Sequence, residues 1–583
     1  MAAASSIVRL ITRAGVGLLV LTIASPARAQ RAAAPITGNE VPQGSPLPRV
    51  SPPAPPEVGP GPAVPPPAQP NGNIPNASVA INSVSVDGAT AYPAERLAAI
   101  TAGLKGPATP LAKVEAARLA IVNLYRGDGY VLTTVTASIA AGGQLRFLVA
   151  EGYISDVKLE GDIGPAGTQV LRFLQHLTET RPINTATLER WLLLAQDVPG
   201  VTVHAVLRPS GTEPSALMLI AELNRQAVNG VATIDNRGFR GTGPVEALGV
   251  LDLNSFTQLG EKTEISLYRA EGDTQTFGQI GEEFFAGGSG LKLRLYYGHG
   301  EATPYGSVIG TNYTGYTTVF GASASYPLIR SRAQTLNLNG ALDAIETYTV
   351  QASPTKDSLR IGRIGIDYAL EDTLFGDDYP GVNTAVVRIS RGLPFLGGSK
   401  YGNALAQRGV TANEDYDFTK LSFDASRTQT LFQPWENATI AFKARVTGQG
   451  SASVVPPAEK FFLGGPEFDR GYYAGQVTGD SALAYTAELQ LNTGISVNVF
   501  GQPIDVGTQF YVFYDYGEVW QNVKQEANPH ISSEGIGTRV TITRYTEFDL
   551  EGDIRNTRLP IGTAPNVKPL KADAVYWRVL TRF

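Results

Sequence analysis

The chain closes on Val575-Tyr576-Trp577-Arg578-Val579-Leu580-Thr581-Arg582-Phe583. Val575, Trp577, Val579, Thr581 and Phe583 fall on one face, and Tyr576, Arg578, Leu580 and Arg582 on the other. That is the period of two of an extended strand. One face is apolar and ends in an aromatic ring. The other carries two guanidinium groups. The same pattern recurs upstream. Leu291, Leu293, Leu295 and Tyr297 oppose Lys292, Arg294 and Tyr296, while Leu336, Leu338 and Leu342 oppose Asn337, Asn339 and Asp343. Ala438, Ile440, Phe442, Ala444 and Val446 oppose Thr439, Lys443 and Arg445. Phe548, Leu550 and Ile554 oppose Glu547, Asp549, Glu551, Asp553 and Arg555.

From about Ala227 to the end, helix signals stop and short alternating segments follow one another with turns between them. In a bilayer every backbone polar group must pair internally, so strands span it only as a closed barrel. Residues 227–583 are therefore predicted to form an outer-membrane β-barrel of about sixteen antiparallel strands, an even number. Trp577 and Phe583 serve as its C-terminal signature. Gly287-Gly288-Ser289-Gly290 reads as a tight turn between strands. The stretch from Ser358 to Leu370 fits poorly, because Arg363 and Asp367 disturb its alternation. A soluble sandwich also has alternating strands, but export, the terminal aromatic strand and repeated one-sided apolarity favour the barrel.

Export is read from residues 1–29. Arg9 and Arg13 precede an apolar stretch from Gly15 to Ala24, and Ala27-Arg28-Ala29 offers a small-residue cleavage site. The apolar run is too short for a membrane anchor. Residues 30–77 are crowded with Pro, Ala and Gly and are predicted to be an extended linker. No amphipathic plug helix is evident between Gln30 and Val50. Cysteine is absent, which excludes disulfides and thiolate chemistry. A net charge of -6 over 583 residues gives no basis for nucleic-acid binding.

Between linker and barrel stand two units of similar order. Residues 78–152 read β-α-α-β-β, with a strand over Ala80 to Val86, a helix opened by Pro93, a second helix over Leu111 to Arg126, and two strands. Arg118 interrupts the apolar stripe of the second helix, and its stem is expected to pack while its head reaches water. Residues 153–226 repeat the order, with Asn184 or Thr185 capping the second helix. Asp197-Val198-Pro199-Gly200 ends that helix.

Two stretches in these units are specific. Tyr125-x-x-x-Gly129-Tyr130 closes the second helix of the first unit. In the second, Leu188-Glu189-Arg190 leads through Asp197-x-Pro199-Gly200-Val201 to Leu207-Arg208-Pro209. They resemble the POTRA module, a periplasmic domain that binds extended polypeptide. The second is similar to the second POTRA of two-partner secretion transporters of the ShlB/FhaC/HecB type. The resemblance implies POTRA domains at 78–152 and 153–226, ahead of the barrel.

Two further motifs fit the same family. Phe468-Asp469-Arg470-Gly471-Tyr472 lies between strands predicted at 437–448 and 481–493, the eleventh and twelfth by count. It resembles the [V/L/F]-R-G-[Y/F] tip of a loop that folds back into the barrel, with Asp469 where an apolar residue is usual. Phe513-x-Asp515-x-Gly517 resembles the F-x-D-x-G motif of the thirteenth strand. Alternation over 505–517 places Gln509, Phe513, Asp515 and Gly517 inward, and an aspartate facing lipid is costly. The resemblance implies that Arg470 pairs with Asp515, that Gly471 turns where a Cβ would collide, and that Tyr472 wedges the tip against the wall. Without the resemblance, Arg470 and Asp515 read as two solvated lumen charges.

No catalytic cluster is apparent. His176, His204, His299 and His530 lie on different elements without metal-ligand spacing, and no cofactor or metal is expected. Glu547 and Asp549, spaced by two on a strand, read as pore wall rather than as a hydrolytic pair. The family implies a translocation pore for an unfolded exoprotein, the type V or haemolysin-type secretion route. Its expected partners are that client, outer-membrane lipid, and the barrel assembly machinery through the C-terminal strand; a monomer is the default. An outer-membrane assembly factor and a passive porin are the alternatives. The first usually carries more POTRA units, and the second does not need roughly 150 residues of periplasmic repeat.

Overall fold

A computed structural model describes residues 77–583, apart from 162, 212, 214, 306–313, 351–354, 400–413, 500–501, 525, 543–544 and 564–567. The expected signal peptide, most of the linker and the region searched for a plug helix lie outside the described residues.

The first unit contains β1 (Ser78–Ile81), β2 (Ser83–Asp87), α1 (Ala94–Thr101), β3 (Gly106–Pro110), α2 (Leu111–Gly127), β4 (Thr134–Ala140) and β5 (Gln144–Ala150). Strand β5 is central, parallel to β2 and antiparallel to β4. The helices bury Leu97, Val114, Ile121, Val122 and Tyr125 against Leu145, Phe147 and Val149. The short β3, which pairs with β1, has no counterpart in the sequence reading. Its Gly106-Pro107-Ala108-Thr109-Pro110 has little strand propensity, and prolines are confined to edges of this kind. Arg118 also departs from expectation. Its head is buried at 8% exposure, donating to Glu115 at 2.8 Å and to the Val135 carbonyl at 3.2 Å instead of reaching water.

The second unit contains β6 (Tyr153–Glu160), α3 (Ala166–Gln175), α4 (Thr185–Gln196), β7 (Val201–Pro209) and β8 (Ala216–Arg225). Asn184 caps α4 by accepting the Thr187 amide at 2.8 Å. The central β8 runs parallel to β6 and antiparallel to β7. The core of this unit includes a residue from outside it, Phe285 of the barrel, whose ring meets Phe173 edge to face at 5.1 Å.

The barrel begins with β9 (Val228–Asp235), β10 (Glu246–Asn254), β11 (Lys262–Ala270), β12 (Gln275–Phe285), β13 (Lys292–Ala302), β14 (Thr314–Arg330) and β15 (Gln334–Val350). It continues through β16 (Thr355–Asp372), β17 (Gly381–Gly392), β18 (Thr419–Phe432) and β19 (Ala438–Ser451). A small hairpin, β20 (Phe461–Leu463) with β21 (Val477–Gly479), stands apart from the wall in the connection that follows. The wall resumes with β22 (Ser481–Val499), β23 (Gln502–Trp520), β24 (His530–Thr541), β25 (Thr546–Arg555) and β26 (Asp573–Arg582). Sixteen strands thus close into one antiparallel barrel, with β26 returning to β9. Phe583 extends this closure, exchanging backbone hydrogen bonds with Gly230 at 3.1 Å in both directions.

The alternation read from the sequence explains the wall. Leu267, Leu342, Ile536 and Val575 are each more than 60% exposed on its outer surface. An apolar belt of this kind suits lipid and would aggregate in water. The second unit packs on the β10–β11, β12–β13 and β14–β15 turns: Ser255, Gly287, Gly288 and Arg330 all bond to it. Those turns therefore mark the periplasmic end. The connection from β19 to β22 lies at the opposite, outer end.

Candidate functional site

That connection, residues 452–480, does not stay outside. Its tip is buried in the lumen. Asp469 takes a positive φ of 53°, which turns the chain so that Arg470 faces the wall. The Arg470 backbone N–H donates to Asp515 Oδ2 at 2.9 Å, Nε donates to the same oxygen at 3.0 Å, and Nη2 donates to Oδ1 at 3.1 Å. Asp515 on β23 is fully buried and Arg470 is 5% exposed. Arg470 also meets Glu488 and Thr486 of β22, and lies 3.8 Å from Glu551 of β25. Buried charges persist only when paired and hydrogen-bonded in this manner.

The spacing of Phe513, Asp515 and Gly517 follows from their shared inward face. Asp515 takes the guanidinium edge. Phe513 offers its ring to the guanidinium face, 3.6 Å from the centroid. Gly517 leaves room for the turn: a Cβ there would strike the Asp469 carboxylate and come within 2.7 Å of Leu463. Asp469, in place of the usual apolar residue, is fully buried, and neither carboxylate oxygen has a hydrogen-bond partner among the described residues.

Gly471 is needed for close approach, since an added Cβ would lie 2.7 Å from Ser533 Cβ. Its amide donates to Ser533 Oγ at 3.1 Å, and its carbonyl accepts from Arg555 and from the Tyr576 hydroxyl. Tyr472 is fully buried. Its hydroxyl sits between the carbonyls of Ser532 (2.8 Å) and Thr557 (2.9 Å), and accepts the Thr557 amide at 3.0 Å. Arg237, just beyond β9, donates to the Arg470 carbonyl at 2.8 Å and pairs with Glu551.

The base of the same loop is held separately. Glu459 is 3% exposed and receives Arg363 of β16 through two bonds, at 2.7 and 3.1 Å, with Lys420 of β18 at 2.8 Å. Between the two sites, Arg445 of β19 pairs with Glu467 at 3.1 Å and caps the Phe468 ring at 4.6 Å. The sequence reading missed Arg237, Glu488, Glu459 and Lys420, and placed Glu551 on the charged face of its strand without linking it to the loop. Arg363, read as a blemish in its strand, is an inward residue with loop and wall partners, and Asp367 pairs inward with Arg388 at 3.2 Å. Below the clamped tip the lumen opens into a polar cavity of about 500 Å³, lined in part by Thr439, Asn492, Thr508, Gln509 and Arg539.

The POTRA-motif residues stand elsewhere, at joints. Tyr125 donates to Glu151 at 2.6 Å and packs edge to face with Tyr92 at 4.7 Å and Tyr130 at 6.0 Å. Burial alone would raise the Glu151 carboxyl. Bonds from Thr90, Tyr125 and the Ala91 amide outweigh it and hold the group below the ordinary carboxylate range. Gly129 adopts φ 89°, and its carbonyl accepts the amide and hydroxyl of Thr185, joining the first unit to α4 of the second. Asp197 takes a bidentate grip from Arg330 at 2.7 and 3.0 Å. The Pro199 carbonyl accepts from Ser255 at 2.7 Å, and that of Gly200 from the Gln226 amide at 2.8 Å.

A sealed barrel crossed by its own loop and carrying two α+β modules at its periplasmic mouth defines a class of outer-membrane transporter. Residues 215–540 match the family model of the haemolysin secretion/activation protein ShlB/FhaC/HecB, and residues 79–152 match the ShlB-type POTRA domain. The chain belongs to the ShlB/FhaC/HecB family of two-partner secretion transporters, outer-membrane proteins with periplasmic POTRA domains. It is 20% identical over 444 residues to the heme/hemopexin transporter protein HuxB of Haemophilus influenzae, covering 73% of each chain. The fold is also that of CdiB from Escherichia coli (TM-score 0.68, 18% identity, 90% of this chain and 94% of that one). CdiB from Acinetobacter baumannii is similar too (TM-score 0.60, 16% identity, 87% and 90%). Transporters of this family act with secreted exoprotein partners.

Proposed function

We propose that this chain secretes one unfolded partner exoprotein, that its two POTRA units capture the client, and that the Arg470-Gly471-Tyr472 loop shapes and gates the lumen. Strand β4 supports the capture step. It pairs with β5 alone among the described residues, and its outer edge has the unpaired backbone groups to which an extended chain adds as a further strand. The captured chain then enters the polar cavity, whose Thr, Asn and Gln side chains suit a hydrated polypeptide. No nucleotide is available in the periplasm, so folding of the client outside supplies the net drive.

The observation that carries this reading is the Arg470–Asp515 contact: a buried ion pair that fastens a surface loop inside a pore. The test is export of a co-expressed exoprotein by Arg470→Ala and Asp515→Ala variants whose barrels are shown to be inserted. Loss of export supports the assignment. Normal export by both variants sinks it.

A further inference from the structure

The inward segment has two clamps of unlike design. At the tip, the wall depends on the loop: among the described residues, the Asp515 carboxylate receives all of its hydrogen bonds from Arg470. Withdrawing Arg470 leaves that buried carboxylate without a cation, the expensive way to break such a pair. At the base, the wall depends on the loop less, because its cations have acceptors of their own. Arg363 also donates to Asp343 at 2.8 Å and to Ser390 at 3.0 Å, and Lys420 donates to Gln449 at 3.1 Å. Withdrawing Glu459 also breaks the bonds its carbonyl accepts from Lys420 at 2.9 Å and Gln449 at 3.0 Å, but it leaves Arg363 with Asp343 and Ser390, and Lys420 with Gln449. Between the clamps lie Gly464 and Gly465, with φ of 96° and 110°, the kind of positions that absorb a hinge rotation.

We propose that Glu459 is a positioning residue whose contact with Arg363 and Lys420 holds the pore closed, and that this end releases during opening while the Arg470 end stays as the pivot. The inference rests on the loop-gating reading above. It adds which limb of the loop moves and which residues hold it at rest.

The experiment uses the full-length chain in planar bilayers, read as ionic current. Glu459→Gln removes the charge but keeps the shape, and is expected to raise the open fraction about tenfold, as loss of a charge-assisted contact implies. An unchanged open fraction overturns the proposal. The chain has no native cysteine, so paired cysteines can be cross-linked without background. One variant carries Glu459→Cys with Arg363→Cys. A second carries Tyr473→Cys with Tyr576→Cys, whose rings lie 6.1 Å apart at the tip. Each is treated with a bifunctional methanethiosulfonate and compared with its own reduced form. The expected result is that the base cross-link abolishes openings, reversibly on reduction, and the tip cross-link does not. If the tip cross-link alone blocks, or both block, gating by the loop stands and the release of its Glu459 end is wrong. If neither blocks, the gating reading itself fails.

Discussion

Removing Asp515 and removing Arg470 should not be equivalent, and the difference is measurable. Asp515→Ala deletes three hydrogen bonds, at 2.9, 3.0 and 3.1 Å, but leaves Arg470 with Glu488, Thr486 and the Phe513 ring. The cation keeps a counter-ion, so the cost falls near the low end of the range for a broken buried pair, about 3 kcal/mol. Arg470→Ala keeps the backbone N–H bond to Asp515 but leaves it with no cation among the described residues, while Glu488 retains Arg539 and Glu551 retains Arg237. Its cost belongs near the upper end, about 5 kcal/mol. At roughly 1.4 kcal/mol per decade, hydrogen exchange at the amides of residues 470–472 should accelerate about a hundredfold in Asp515→Ala. In Arg470→Ala it should accelerate more than about a thousandfold. The double variant should lose less than the sum, because both changes remove one interaction. Heat-modifiable electrophoretic mobility reports that the barrel is intact. Equal exchange in the wild type and both variants would show that the pair does not hold the loop and would refute the reasoning.

Three other outcomes are expected. Gly471→Ala places a Cβ 2.7 Å from Ser533, so exchange at the amides of residues 470–472 should rise by at least about tenfold, and an unchanged rate would show that no close approach is needed there. Glu151 is held below the ordinary carboxylate range in the folded state, so its contribution is present above the unfolded-state value and is lost as pH falls through the folded one. Proteolysis of the first unit in the full-length chain should therefore quicken on acidification below the ordinary carboxylate range, and Glu151→Gln should flatten that dependence. Asp197→Ala removes a bidentate, partly exposed pair with Arg330, worth about 1 kcal/mol, and should broaden spin-label distances between the second unit and the barrel without affecting the wall.

The wall was legible because alternation is a local property. A period of two places Asp515 inward and Val512 and Tyr514 outward without knowledge of any partner. Where the wall packs against its own loops, the usual pattern reverses and the signal misleads. At the outer end of β16, Leu359 and Ile361 face inward, buried with Tyr416, Phe418 and Val455, while Lys356, Ser358 and Arg360 take the other side. Arg363 then looks like an intrusion, because the Glu459 that explains it lies 96 residues away. Arg237 was invisible for another reason. It sits beyond the end of a strand, in a turn, where no periodicity assigns it a direction. Strand β3 was missed because its pairing with β1 overrides a sequence of two prolines and a glycine.

Phe285 belongs to the barrel by sequence and to the second module by packing. A module excised without the β12–β13 hairpin would therefore carry a hole the size of a phenyl ring at its centre. Chimaeras that exchange this module between relatives should keep that hairpin with the module it completes. A graft made at the linker between Arg225 and Val228 would divide one hydrophobic interior between two parents.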